Sequence, residues 1–202
     1  MQKVYPKILF GKATELINDQ KLTQADELLT KILNDPNAGK IAPYANFWKG
    51  EIAYRTLKYD DAIRNMTAFL QSGSGTQGEA SPAAAKYVMG YSYLKKENYK
   101  QALAYFSQVA PNISTSSPSL EQDAYVRTAD SYFMNRDYSK ANAMYNNVIN
   151  NALPQSDYAL FQQAMIAGIK NSGEKIRILN TLSRQYQSSD LIPDKTKEIA
   201  NT

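Results

Sequence analysis

Gly50-Glu-Ile-Ala-Tyr-Arg-Thr-Leu-Lys-Tyr59-Asp-Asp-Ala62, Gly90-Tyr-Ser-Tyr-Leu-Lys-Lys-Glu-Asn-Tyr99-Lys-Gln-Ala102 and Ala129-Asp-Ser-Tyr-Phe-Met-Asn-Arg-Asp-Tyr138-Ser-Lys-Ala141 are three copies of one phrase. In each copy a small residue is followed nine positions later by Tyr, and three positions beyond that by Ala. A fixed period of this size, close to forty residues, marks stacked units, none of which can bury its apolar face alone.

Outward from the phrase the pattern is helical. Ala25, Leu28, Leu29, Ile32 and Leu33 fall at i, i+3, i+4, i+7 and i+8, one buried helix face. Leu103, Phe106 and Val109 continue a similar face from Ala102. No stretch sustains strict alternation, so strands are not expected. Asp35-Pro36-Asn37-Ala38-Gly39, the Gly/Ser-rich run 72–82 and Pro111-Asn-Ile-Ser-Thr-Ser-Ser-Pro118 separate the units. Tighter breaks at Leu57-Lys58, Glu97-Asn98 and Arg136-Asp137 precede the Tyr of each phrase.

The residue after each tight turn serves as a marker: Ala25, Ala62, Ala102, Ala141 and, in a weaker fifth copy after Asn171-Ser-Gly173, Ile176. The spacings are 37, 40, 39 and 35 residues. The expected architecture is all-α, an α-α superhelix of about five antiparallel helix–turn–helix repeats in a single array over 1–202. The repeats fall near residues 6–39, 43–76, 83–116, 122–155 and 157–189, and a partial sixth is expected at 192–202.

Composition excludes several function classes. The net charge of +4 comes from 23 basic and 19 acidic residues mixed along the chain, too mild a balance to argue for nucleic acid. There is no Cys, hence no disulfide, thiolate metal site or cysteine nucleophile. There is no His, which removes the commonest general base and transition-metal ligand. No run approaches the ~18 apolar residues of a membrane span. No catalytic residue, metal ligand or cofactor is therefore assigned.

The phrase resembles the tetratricopeptide repeat. Tyr93 and Tyr132 match that family's first-helix aromatic, Tyr59, Tyr99 and Tyr138 its turn Tyr, and Ala62, Ala102 and Ala141 its second-helix small residue, with Phe106 and Tyr145 four later. Ala53 stands where the second unit would carry the aromatic, and the first unit is atypical, with Ala13, Leu16 and Leu22 at the three places. A narrower likeness, in Tyr158-Ala-Leu-Phe-Gln-Gln-Ala, Glu174-Lys-Ile-Arg-Ile-Leu-Asn-Thr-Leu and Tyr186-Gln-Ser-Ser, is to repeats of large bacterial cell-envelope proteins. The tail Ile192 to Thr202 looks like the opening of another unit, so the chain is expected to be an excerpt of a longer array.

The resemblance implies a non-catalytic scaffold that holds a protein or peptide segment in a groove lined by the first helices. Carried over unit by unit, the groove places are Phe10, then Tyr44, Phe47, Glu51, Tyr54 and Arg55, then Tyr87, Tyr91 and Lys95, then Arg127, Asp130 and Phe133, then Tyr158, Phe161 and Met165. Rigid rings with a few charges are the composition of binding hot spots; the opposing expectation is that many of these rings pack between units. Arg55, Lys95 and Arg127 would meet acids or a chain-end carboxylate. The implied setting is periplasmic or envelope-associated, with a cytoplasmic one left open. Two other readings stand beside this one: an outer-membrane assembly or division-coordination subunit, and a glycan-binding or carbohydrate-related module resting on Trp48.

Other motifs read as structure. Asp60-Asp61 begins a second helix, where acids meet the helix dipole. Glu51 and Asp130 could be offered as a carboxylate pair, but nothing singles them out. Gly73, Gly75 and Gly78 lack the Lys-Ser/Thr ending of a phosphate loop. Lys95-Lys96 and Lys195 to Lys197 read as solvated helix surface.

Overall fold

The computed structural model describes residues 5–192. Apart from Ile192, the expected partial repeat at 192–202 lies outside the described residues, as do Lys195 to Lys197. The chain divides into two compact units, Met1–Val109 and Ala110–Thr202. The first holds α1 (Tyr5–Asn18), α2 (Leu22–Leu33), α3 (Ala42–Arg55), α4 (Tyr59–Gln71), α5 (Pro82–Lys95) and α6 (Tyr99–Val109), with a short 3-10 turn at Gly39–Ile41. The second holds α7 (Ser119–Met134), α8 (Tyr138–Asn150), α9 (Ser156–Gly168) and α10 (Ser172–Gln185). Within each unit every helix packs on its neighbours in sequence, and α3 also meets α5. The all-α architecture of adjacent helix pairs is as expected, and extended pairing among the described residues is limited to one bridge, Gln77 to Ala80.

The tight turns share one hydrogen-bond pattern. Lys58 N–H donates to the Ala53 carbonyl (2.8 Å) and Leu57 N–H to that of Tyr54 (3.0 Å). The same pair recurs as Lys21 to Leu16 with Gln20 to Ile17, Asn98 to Tyr93 with Glu97 to Leu94, and Asp137 to Tyr132 with Arg136 to Phe133. This is the Schellman ending, which closes orphan carbonyls by turning one residue left-handed. The residues turned are Gln20, Leu57, Glu97 and Arg136, with φ of 60°, 62°, 57° and 64°. None is Gly, so each carries strain.

The small residue of the phrase allows close approach of the helix pair. A Cβ on Gly90 would lie 2.7 Å from two ring carbons of Phe106, and one on Gly50 would lie 3.0 Å from Met66. The markers Ala25, Ala62, Ala102 and Ala141 are all fully buried.

In the fifth pair the structure corrects the marker. Ile176 is 52% exposed. The turn from α9 to α10 lacks the left-handed residue, and α10 starts at Ser172. Lys175 then stands where Ala62 and Ala141 stand, its stem close to Gly168, and Leu179 and Leu182 supply the buried face.

Candidate functional site

Three of the groove residues come together in the first unit. Tyr54 lies in the last turn of α3, and Tyr87 and Tyr91 lie one turn apart on α5. The Tyr87 and Tyr91 rings meet edge to face with centroids 4.9 Å apart, and the Tyr54 ring is 6.3 Å from Tyr91. Tyr59, at the turn, adds a ring 6.0 Å from Tyr54. Phe106 supports the cluster from its buried side, 5.1 Å from Tyr91 and 6.1 Å from Tyr87, in the space that the missing Cβ of Gly90 leaves free. The tyrosines are half-buried, so each keeps an open edge while packing holds its ring in place. Beside them Arg55 donates from Nε to Glu51 (2.8 Å). Lys95 is exposed one turn beyond Tyr91 and forms no ion pair among the described residues.

Other groove candidates lie elsewhere. Phe47, expected to face the groove, is 3% exposed and belongs to an apolar cluster with Met66, Phe69, Val88 and Met89. Phe69 covers it at 5.3 Å. Tyr44 packs 5.9 Å from Phe69, and its hydroxyl donates to the Gly75 carbonyl (3.3 Å), which ties down the Gly/Ser loop. Phe10 is half-buried on the apolar cluster of α1 and α2.

In the second unit Phe133 lies 5.6 Å from Tyr138. Phe161 and Met165 are half-buried against Leu160, Ala164, Leu179 and Leu182.

The remaining three candidates form a polar lattice across α7, α8 and the start of α9. Asp130 accepts from the Tyr145 hydroxyl (2.6 Å) and from Arg127. Arg127 also donates to Asp123 (3.3 Å) and to Gln155 (2.7 Å), Gln155 donates back to Asp123 (2.9 Å), and the guanidinium carbon lies 5.2 Å from the Tyr158 ring centroid. Burial pushes the Asp130 carboxyl above its usual range, against the pull of Arg127 and of the Tyr145 and Tyr158 hydroxyls. Burial, reinforced by the Asp130 charge, pushes Tyr158 up to about 12 and Tyr145 up as well, so both phenols stay protonated.

Arg127, expected to meet acids of a partner, and Asp130 are thus bonded to one another and to their neighbours. Asp123, Tyr145 and Gln155 were not foreseen. A signal for Tyr145 was present: it stands where Met66 and Phe106 stand, and a fully buried phenol needs an acceptor.

Comparison with known proteins agrees with this geometry. The tetratricopeptide repeat family model matches residues 123–156, from the second turn of α7 through α8 to the first residue of α9. Several solved structures share the fold. A tetratricopeptide repeat protein from Parabacteroides merdae has 17% identity and a TM-score of 0.74 over 92% of this chain and 68% of that one. YrrB, a tetratricopeptide protein described as having an unusual peptide-binding site, has 16% identity and a TM-score of 0.71 over 91% and 88%. PilW, a type IV pilus biogenesis factor, has 12% identity and a TM-score of 0.53 over 98% of each. No curated protein matches the sequence. Helix pairs closed by one recurring turn and a small residue seating each partner helix give this chain the fold of tetratricopeptide repeat proteins, with one such repeat matched at residues 123–156.

Proposed function

We propose that the chain is a non-catalytic scaffold for protein–protein interaction, and that its first unit holds a segment of a partner protein over Tyr54, Tyr87 and Tyr91. The observation that carries this reading is the convergence of three half-buried rings from two helices on one support, Phe106. Rings fixed by packing lose little entropy on binding and offer apolar area. Lys95 and the excess positive charge favour acidic side chains in the partner, because the net charge of +4 falls entirely within residues 1–109. The peptide-binding site for which YrrB is described supports the same class of ligand. An envelope setting belongs to this proposal, on the likeness carried by residues 158–164, 174–182 and 186–189. Among the described residues no helix is long and apolar enough to cross a membrane.

The glycan-binding alternative finds no support in Trp48. Its ring lies edge-on to Phe47 at 5.5 Å and packs against both apolar clusters of the first unit, as a core residue does.

The test compares wild type with Tyr54→Ala and Tyr91→Ala. A partner captured from lysate of the source organism is identified and titrated against each, and melting is followed in parallel. Loss of a hot-spot ring should weaken binding by roughly 2 kcal/mol, or ~30-fold, while Tyr54→Ala shifts melting little. Unchanged affinity in both variants would overturn the proposal, and a sharp fall in melting for both would make the rings core.

A further inference from the structure

Within the units, three second helices pack on the first helix that follows: α2 on α3, α4 on α5 and α8 on α9. The three contacts use the same places. Five residues before its small residue (Gly50, Gly90 or Ala164) the first helix carries Ala45, Ala85 or Ala159, each fully buried. Eight residues past its marker the second helix carries Leu33, Leu70 or Ile149, half-buried on the apolar clusters. A polar bond marks the register in two of them. Lys49, just before Gly50, donates to Thr30 (2.8 Å), and Gln163, just before Ala164, donates to Asn146 (2.7 Å). Both acceptors stand five residues past the marker.

Two faces of this kind are open. On α1, Tyr5 and Ile8 are 57% and 62% exposed, and Ile8 holds the place of the buried Ala, five before Ala13. Gly11 lies one turn on, where a Cβ would meet nothing within 4 Å, so Gly weakens the helix with no packing gained inside the chain. On α10, Ile176 is exposed, and Ser183 holds the place of Leu33, Leu70 and Ile149. The bulk of the closed contacts has changed sides, from the second helix to the first. The polar places are kept: Lys12 stands just before Ala13, and the exposed Asn180 five residues past Lys175. Terminal repeats ordinarily need a polar outer face, which Tyr5, Ile8 and Ile176 do not supply.

We propose that the open face of α1 docks on the open face of α10 in a second copy of this chain, so that copies join head to tail in the register of the closed contacts. Ile8 then fills the space that Ser183 leaves, where the closed contacts set a Leu or Ile against an Ala. Lys12 keeps its pair with Glu15 (3.0 Å) and adds Asn180, as Lys49 holds Asp26 (2.6 Å) together with Thr30. An ammonium has three donors, so both bonds are open to it. Pairing α1 with α1 would set bulk against bulk, and pairing α10 with α10 would leave both Ser183 places unfilled. Two unlike faces make a heterologous contact, which repeats from copy to copy.

The test follows the mass of the full chain by analytical ultracentrifugation over a concentration series, for wild type, Ile8→Glu, Ile176→Glu and an equimolar mixture of the two variants. Wild type is expected to pass beyond a dimer as concentration rises. Each variant keeps one face, so its self-association should weaken about tenfold or more, with melting unchanged because both residues are exposed. The mixture should form a one-to-one dimer and nothing larger, through α1 of Ile176→Glu and α10 of Ile8→Glu. The chain has no Cys, so Lys12→Cys combined with Asn180→Cys should give a ladder of disulfide-linked copies on a non-reducing gel. Tyr54→Ala should associate as wild type does, which separates this contact from the tyrosine cluster. A wild type that stays monomeric or stops at a dimer, a mixture that stays monomeric, or a double Cys variant without a ladder would each overturn the proposal. Association kept in Ile176→Glu and lost in Ile8→Glu would assign the contact to two α1 faces and overturn it as well.

Discussion

Replacing the small residue of the phrase by Ala should have opposite effects in two adjacent repeats. At Gly90 the new Cβ would lie 2.7 Å from Cδ1 and Cε1 of Phe106 and 2.9 Å from Cγ. Carbon atoms rest at ~3.5–4.0 Å, so the ring must retreat by roughly an ångström, yet it is fully buried and in contact with Tyr87 and Tyr91. Overpacking of this kind costs about 1–3 kcal/mol, against a helix-propensity gain of about 1 kcal/mol for Ala over Gly. Gly90→Ala should destabilise by about 1 kcal/mol. At Gly50 the contacts are Met66 Cγ and Cε at 3.0 Å and Sδ at 3.2 Å, an unbranched side chain that can re-pack. Gly50→Ala should therefore keep most of its propensity gain and stabilise. The split of about 2 kcal/mol corresponds to roughly 4–8 °C for a chain of this size, measurable by thermal melting under far-UV circular dichroism. Phe106→Leu in the Gly90→Ala background should recover much of the loss. Gly90→Ala melting at or above Gly50→Ala would refute the close-approach argument. Because Phe106 also supports the tyrosine cluster, Gly90→Ala should weaken partner capture without touching the partner.

Leu57→Gly should stabilise the α3–α4 turn by roughly 0.5–1 kcal/mol, read as a higher denaturant midpoint, because Leu57 is 72% exposed at φ 62° and loses strain but little packing. Tyr145→Phe should cost about 1.5–3 kcal/mol by the same assay, since it removes a hydrogen bond to a buried charged acceptor. The Asp130 carboxyl titrates above its unfolded value, so the native state binds this proton more tightly. Its contribution to stability therefore grows as pH falls from neutral through the folded pKa and diminishes as pH rises. Melting of wild type relative to Asp130→Asn, followed from neutral to mildly acidic pH, should shift in favour of wild type, and a shift in the opposite direction would contradict the burial argument.

The turns and markers were legible because backbone and packing rules repeat there. Leu57, Glu97 and Arg136 sit at the predicted breaks, and the four Ala markers are buried as their spacing requires. The fifth unit slipped by one because its marker place holds Lys175. A charged residue with a buried stem does not look like a marker, so the reading passed to the adjacent Ile176. Which groove ring faces outward was less legible. Phe47 and Tyr87 both stand three residues before the small residue, yet Phe47 is covered and Tyr87 keeps an open edge. The difference lies on the second helix. Seven residues past its marker α4 carries Phe69, which reaches Phe47, whereas α6 carries the smaller Val109 at the same place.

Arg127 and Asp130 make the same point for charge. Read singly, each fits a groove place. Read together, Asp123, Arg127 and Asp130 stand at i, i+4 and i+7, the spacing at which side chains on one helix face pair with each other. Tyr145 supplies the buried donor that holds Asp130 in place, and Gln155 closes the lattice from the start of α9. A residue presents charge to a partner only when its own helix and its neighbours leave that charge uncompensated. By that criterion Arg127 is spent within the second unit, and Arg55 is half-spent on Glu51. Lys95, with Tyr91 one turn behind it, has no neighbour at pairing distance among the described residues and keeps its charge uncompensated.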